Sequence, residues 1–224
     1  MSVPGRVEAA SLLLSLDPPG WFLNHSRAVG EVAAWLASRI DGHGMAIDRR
    51  LVESAALLHD ADKLLPAGDP AHYLPHGDGS AAWLTTRGHP ELARAVAGHH
   101  VTRLLDGERF RRWAAFASRE ERIVAYADKR AGQRLESMDA RFASWRRRYS
   151  RLDVPTGTAG AGPAGAAGTK AIAAGWDDEM LAAVRARADR LEADVCRAAG
   201  ISPTEVRRLR WTGPALRAAR GRAR

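Results

Sequence analysis

Ala56-Leu57-Leu58-His59-Asp60-Ala61-Asp62-Lys63 decides how this chain is read. Apolar residues at helical spacing lead into an adjacent histidine and aspartate, and a lysine follows three positions later. Neighbouring positions on an α-helix face different ways, so the pair can meet one ion only where the helix stops. A carboxylate at the end of an apolar stripe costs several kcal/mol unless it is paired or holds a metal.

Three other stretches carry the same kinds of group: Asn24-His25-Ser26-Arg27, Gly98-His99-His100 and Tyr126-Ala127-Asp128-Lys129. Asp128 closes a second apolar stripe, Ile123-Val124-Ala125-Tyr126-Ala127, and His25 lies one turn before Val29 of a third. Taken singly, each aspartate reads as a salt-bridge partner of Lys63, Lys129 or Arg130, and each histidine as a satisfied core residue. Taken together, two carboxylates ending two apolar stripes point to one shared divalent cation.

The pattern around these stretches is helical throughout, and the expected fold class is all-α, a compact helical bundle. Val7–Leu16 is a short helix stopped by Asp17-Pro18-Pro19-Gly20. Trp21–Ile40 carries Val29, Val32, Trp35 or Leu36, and Ile40 on one face. Asp48 is an N-cap for the helix that delivers His59 and Asp60. Pro66–Gly79 reads as a loop, Ser80–Thr86 as a helix start, and Pro90 opens the helix that ends at His99-His100. Glu108–Ala117 is another helix. Ser118 with Glu121 forms a capping box before the Asp128 helix, and Asp139–Tyr149 follows. Residues 1–151 are therefore expected to form the helical metal-binding domain. Residues 152–175, almost all Gly, Ala, Pro and Thr, read as a flexible linker. Residues 176–211 read as a C-terminal helical appendage, whose helix Trp176–Ala199 either folds back on the core or forms a homodimer contact, and 212–224 as a disordered basic tail.

Charge and composition narrow the classes. The 224 residues carry 34 basic and 26 acidic side chains, a formal net charge of +8. Seven of the arginines lie between Val206 and Arg224, so the rest of the chain is nearly neutral, which argues against a nucleic-acid reader. No apolar run is long enough to span a membrane. A single cysteine, Cys196, excludes an intrachain disulfide and fits a cytoplasmic protein. Phosphate loops, nucleophile elbows and Cys-x-x-Cys pairs are absent from the sequence. Trp113, Phe116, Trp145 and Tyr149 have the spacing of packing aromatics.

The order His25 … His59-Asp60 … Asp128 resembles the HD-domain family of metal-dependent phosphohydrolases. Leu57-Leu58-His59-Asp60-Ala61-Asp62-Lys63 is similar to the family's His-Asp-small-Gly-Lys segment, with Asp62 in the glycine's place, and the resemblance covers about residues 21–150. It implies that His25, His59, Asp60 and Asp128 hold one metal ion. Some members carry two further histidines, the first as His-x-x-x-small-Ala and the second closing the next helix. These hold a second ion, with the counterpart of Asp60 as the bridge. His76-Gly77-Asp78-Gly79-Ser80-Ala81 and Gly98-His99-His100 occupy both places, so the resemblance implies a dinuclear site with His76 and His99, His100 remaining an alternative to His99.

Imidazole and carboxylate ligands suit Mn, Fe, Co, Ni or Zn better than Mg or Ca. Such ions lower the pKa of a bound water and take up charge on phosphoryl oxygens. Asp60 and Lys63 are the candidate catalytic residues. Lys63, Arg27, Lys129 and Arg130 are the candidates for binding substrate phosphate, and Asp62 for orienting a histidine. The expected activity is hydrolysis of a phosphate ester or anhydride of a small nucleotide. Within the family, the chain's size and extra histidines look most like the enzymes that cleave dinucleoside tetraphosphates. Two readings from other classes compete: an HD-type di-iron oxygenase, and a non-catalytic nucleic-acid-binding protein that uses the arginine-rich end.

Overall fold

The structure, a computed structural model, describes residues 3–149 and 176–222. The described residues form α-helices and no β-strand. In chain order the helices are α1 (Arg6–Leu14), α2 (Gly20–Gly42), α3 (Arg49–Leu58), α4 (Asp78–Thr86), α5 (Ala93–Ala97), α6 (Gly107–Phe116), α7 (Arg119–Arg130), α8 (Met138–Tyr149), α9 (Asp178–Ala199) and α10 (Thr212–Arg222). None is long and apolar enough to cross a membrane. The chain is all-α, as its apolar stripes predict.

Local chemistry sets the helix ends. The Asp48 carboxylate accepts a hydrogen bond from the Leu51 amide at 2.9 Å and starts α3. Ser118 and Glu121 close a reciprocal capping box at the start of α7, at 3.2 and 3.3 Å. Gly200 ends α9 in the left-handed conformation, φ +61°, which a side chain would strain.

Helices α2, α3 and α7 pack against one another, and α5 packs against α3 and α7. The contact is close because small residues line it: Ala28, Ala33, Ala55, Ala56, Ala125 and Ala127 are all buried. Val29, Val32, Leu36, Val52, Leu58, Ile123 and Val124 fill the space between. This arrangement brings the end of α3, the last turn of α7, the end of α5 and the second turn of α2 to one place. The anticipated helix through Leu92 to His100 is shorter, a turn at Pro90–Leu92 followed by α5, which Gly98 stops. The stretch read as a loop over 66–79 contains a 3-10 turn, Pro70–Tyr73, and the start of α4.

Of the two placements open for the helix after residue 175, α9 folds back: Leu181, Val184, Ala188, Leu191 and Val195 belong to the common core, and α9 packs on α7 and α2. One expectation about the C-terminal end is corrected. Residues 212–222 are not a disordered tail but α10, which lies on α1 and α2. The cause is an apolar face, Trp211, Ala215, Leu216 and Ala219, all buried. A polar clamp adds to it: Arg208 and Thr212 both bond the buried Glu31 carboxylate of α2, at 2.6 and 2.5 Å. The last short helix anticipated through Leu209 is only a 3-10 turn, Pro203–Glu205, after which the chain runs extended so that the Leu209 amide can donate to Glu31 O at 2.9 Å. The linker expected over 152–175 lies outside the described residues.

Candidate metal centre

Four helices deliver five side chains to one place, and a loop and a turn add two more. His25 projects from α2. His59 is the residue after α3, still in helical conformation, and Asp60 leaves the helix at φ −103°, ψ 12°. That break is how two adjacent side chains converge. Asp128 comes from the last turn of α7, His76 from the loop before α4, and His99 from just after α5. Lys63 reaches in from the turn Ala61–Leu64.

The nitrogens and oxygens lie close together. His25 Nε2 is 3.3 Å from Asp60 Oδ2 and 3.5 Å from Asp128 Oδ1. His59 Nε2 is 3.5 Å from Asp60 Oδ1 and 3.7 Å from Asp128 Oδ1. His76 Nε2 and His99 Nε2 stand 3.1 and 3.2 Å from Asp60 Oδ1. Lys63 Nζ bonds Asp60 Oδ2 at 2.6 Å. Three overlapping groups therefore have ligand spacing: His25, His59 and Asp128; His59, Asp60 and His99; Asp60, Asp62 and His76.

The other ring nitrogens fix what each histidine offers. Nδ1 of His25 faces Gly132 O at 2.8 Å, that of His59 faces Ala56 O at 2.8 Å, and that of His99 faces Val96 O at 2.5 Å. A carbonyl oxygen only accepts, so each Nδ1 carries the proton, and each neutral ring presents a lone pair at Nε2. His76 Nδ1 is held by both oxygens of Asp62, at 3.0 and 2.9 Å. Asp62 is itself fixed: its carboxylate takes the Gly77 amide at 2.7 Å, and its own amide donates to Ser80 Oγ at 2.9 Å.

This arrangement fits a metal ion. His25 Nε2 and His59 Nε2 face each other at 3.1 Å, with both Nδ1 protons already committed. Two lone pairs at that distance repel unless a cation lies beside them or a proton lies between them. Burial opposes that proton on His25, but the carboxylates of Asp60 and Asp128 outweigh it and raise the ring, and the same field favours a divalent cation. His76 Nε2 is buried and makes no hydrogen bond, although Asp60 Oδ1 is its neighbour. Metal-binding histidines generally hand their second nitrogen to a carbonyl or carboxylate in this way. Asp60 faces His25 with one oxygen and His76 and His99 with the other.

The electrostatics agree. Burial pushes His59 down to about 3, so it stays neutral at ordinary pH. Burial opposes charge on His76 as well, but the carboxylates of Asp60 and Asp62 outweigh it and raise that ring to about 9. Burial would raise Asp60 and Asp128 too, yet His59 and, respectively, Lys63 and His99 hold both well below the ordinary carboxylate range. The field that favours a proton on His76 favours a divalent cation in its place.

Four sequence-nominated residues are placed differently from one another. Lys63 is at the centre. Arg27 is not: it points to α10, with Nε 3.5 Å from Thr212 Oγ1. Lys129 is buried, and its ammonium bonds His99 O and Ala125 O at 2.6 and 3.0 Å. Arg130 bonds Tyr126 Oη, Glu192 and Pro203 O, joining α7 to α9. None of these three faces the pocket, which corrects their assignment as phosphate-binding groups. Between the adjacent histidines the structure brings His99 to Asp60, while His100 bonds Thr102 and lies against His76.

The glycine that makes room for Asp62, the residue nominated to orient a histidine, escaped the sequence reading. A Cβ on Gly79 would come within 2.8 Å of Asp62 Cβ and 2.6 Å of Ala71 O, so only glycine lets α4 approach Asp62. The paired glycines of His76-Gly77-Asp78-Gly79-Ser80 are the signal that could have found this clamp. Asp62→Ala should free the His76 ring and lower the affinity for the ion on that side by about 10- to 100-fold. Metal titration should show one weakened site and one unchanged, and two unchanged sites would contradict the role given to Asp62.

A family model for the HD domain matches residues 22–132, from just before His25 to just past Asp128. No curated protein and no solved structure matches the chain.

Proposed function

Through residues 22–132 the chain belongs to the HD-domain family, and from that premise we propose that it is a metal-dependent phosphohydrolase acting on a phosphate ester or anhydride of a small nucleotide. The observation that carries the reading is the pair of facing Nε2 atoms of His25 and His59, flanked by two buried carboxylates. His25, His59, Asp60 and Asp128 would hold one ion. Asp60, His76 and His99 would hold a second, with Asp60 between them. Divalent ions so held supply an activated water and neutralise charge on phosphoryl oxygens.

The chain's own residues set the direction of approach. The His59 and His99 side chains are fully buried, whereas Lys63 is 40% exposed, His76 19% and His25 14%. Substrate therefore enters past Lys63. Asp60 holds the Lys63 ammonium at the rim, where it can meet a phosphate oxygen as a mobile point charge. The inner faces of α3 and α7 are apolar and keep bulk water off the far side of the centre, which strengthens each charge interaction there. Asp62 orients His76, and the carbonyls of Gly132, Ala56 and Val96 orient the other three rings.

The test is a hydrolysis screen with the purified protein loaded with Mn, Co or Mg. Substrates should include dinucleoside polyphosphates, deoxynucleotides, guanosine tetraphosphate and cyclic dinucleotides, alongside metal analysis of each sample. Metal-dependent phosphate or nucleotide release is the expected result. Convergence of His76 and His99 on one oxygen of Asp60 also fits a di-iron oxygenase. Bound iron with oxygen uptake and no hydrolysis would favour that reading instead.

A further inference from the structure

A fifth imidazole stands at the centre with its nitrogens used the other way round. His100 follows His99, and its ring lies 4.3 Å from that of His76, at 75°. Its Nδ1 is the N-cap acceptor of the turn Val101–Leu104: it receives the Thr102 backbone amide at 3.4 Å and lies 2.7 Å from Thr102 Oγ1. A backbone N–H can only donate, so Nδ1 holds the lone pair, the Thr102 hydroxyl donates to it as well, and the neutral ring carries its proton on Nε2.

This is the reverse of His25, His59 and His99, whose Nδ1 atoms face carbonyls. A ring with Nε2–H cannot be a ligand through that nitrogen, and its lone pair is already taken. It is a hydrogen-bond donor, and the bonds its ring makes to the described residues are both at Nδ1. The ring is only partly buried and abuts His76, one of the side chains through which the centre reaches solvent.

We infer that His100 donates its Nε2–H to a phosphoryl oxygen of the substrate bound at this centre, making it a substrate-binding residue rather than a metal ligand. The inference rests on the phosphohydrolase reading for the identity of the substrate, but the donor itself is a property of the ring. The contact is a hydrogen bond from a neutral imidazole and moves no proton. It would act with Lys63: the lysine supplies charge, and His100 a donor whose direction is fixed by its Nδ1 anchor.

Long-range proton–nitrogen spectra of the protein labelled with ¹⁵N-histidine and loaded with zinc would test this directly. His100 should show a protonated Nε2 and a bare Nδ1, and its Nε2 signal should shift when inorganic phosphate is added. His100→Leu should keep the metal stoichiometry of the parent and lose about 10- to 100-fold in phosphate affinity, the range for one hydrogen bond to a charged group. His100→Gln, which retains an amide donor, should recover part of that loss. A protonated Nδ1, a phosphate affinity unchanged in His100→Leu, or the loss of one ion from that variant would each overturn the proposal. A protein whose His100 signal responds to phosphate but which hydrolyses no phosphate ester would uphold the donor and overturn the phosphohydrolase reading.

Discussion

Asp60→Ala should empty the centre of metal and lower hydrolysis by at least about 10³-fold, since losing even an outer partner of a metal ligand costs about 10- to 100-fold. Among the described residues, Asp60 is the one side chain within 3.5 Å of Lys63, His25, His59, His76 and His99 together. Without it, His25 and His59 keep only Asp128 as a carboxylate neighbour, and His76 keeps only Asp62. Two of the three ligand-spaced groups contain Asp60 and would disappear with it. The fold should survive. Removing one partner of a buried pair costs most when the other charge is trapped, but here Lys63 is 40% exposed and can turn to water. His76, raised by the carboxylates around it, would lose part of that support and shed its proton more readily. Far-UV circular dichroism should therefore match the parent while metal analysis shows the ions gone. Asp60→Asn, which keeps the volume, should behave alike. A variant that kept its metal and its activity would refute the bridging role.

The centre was legible in sequence where chemistry forces a residue type at a position. A carboxylate closing an apolar helix stripe is costly, so Asp60 and Asp128 signalled a shared cation, and His25 fell on the same interior by its spacing to Val29. Adjacency in sequence misled where the helix turns it into opposition in space. Arg27 is two positions from His25, about 200° around the axis, and so meets α10. Lys129 is one position from Asp128, about 100° away, and so enters the space behind His99. The choice between His99 and His100 could not be read from composition. It depends on which ring meets the Val96 carbonyl one turn back and which meets the Thr102 amide ahead. The C-terminal helix was hidden by its arginines. Its apolar residues at 211, 215, 216 and 219 share one face, but their partners lie some 180 residues upstream, on α1 and α2.

Trp211→Ala should destabilise the protein by about 3–5 kcal/mol, the usual cost of truncating a buried aromatic, and lower the melting temperature by about 10 °C for a chain of this length. Trp211 is 4% exposed and packs on Gly30, where an added Cβ would sit 3.3 Å from the indole. Its Nε1–H donates to Gly30 O at 3.1 Å, and the Arg6 guanidinium lies over the ring at 5.2 Å. The loss should extend past the tail. Thr212, the next residue, bonds the buried Glu31 carboxylate, and Arg208 holds its other oxygen. If the indole goes and α10 lifts, Glu31 keeps its burial but loses a donor, and an unsatisfied buried carboxylate adds its own penalty. Glu31 lies on α2 less than two turns from His25, so the metal-free protein should suffer most, and added metal, which binds only the folded chain, should restore part of the difference. Trp211→Phe, keeping most of the bulk but not the donor, should cost much less. Arg217→Ala and Arg220→Ala, on the exposed face of α10, should change almost nothing. Equal melting temperatures for Trp211→Ala and the parent would mean that α10 contributes nothing to the fold, as a disordered tail would.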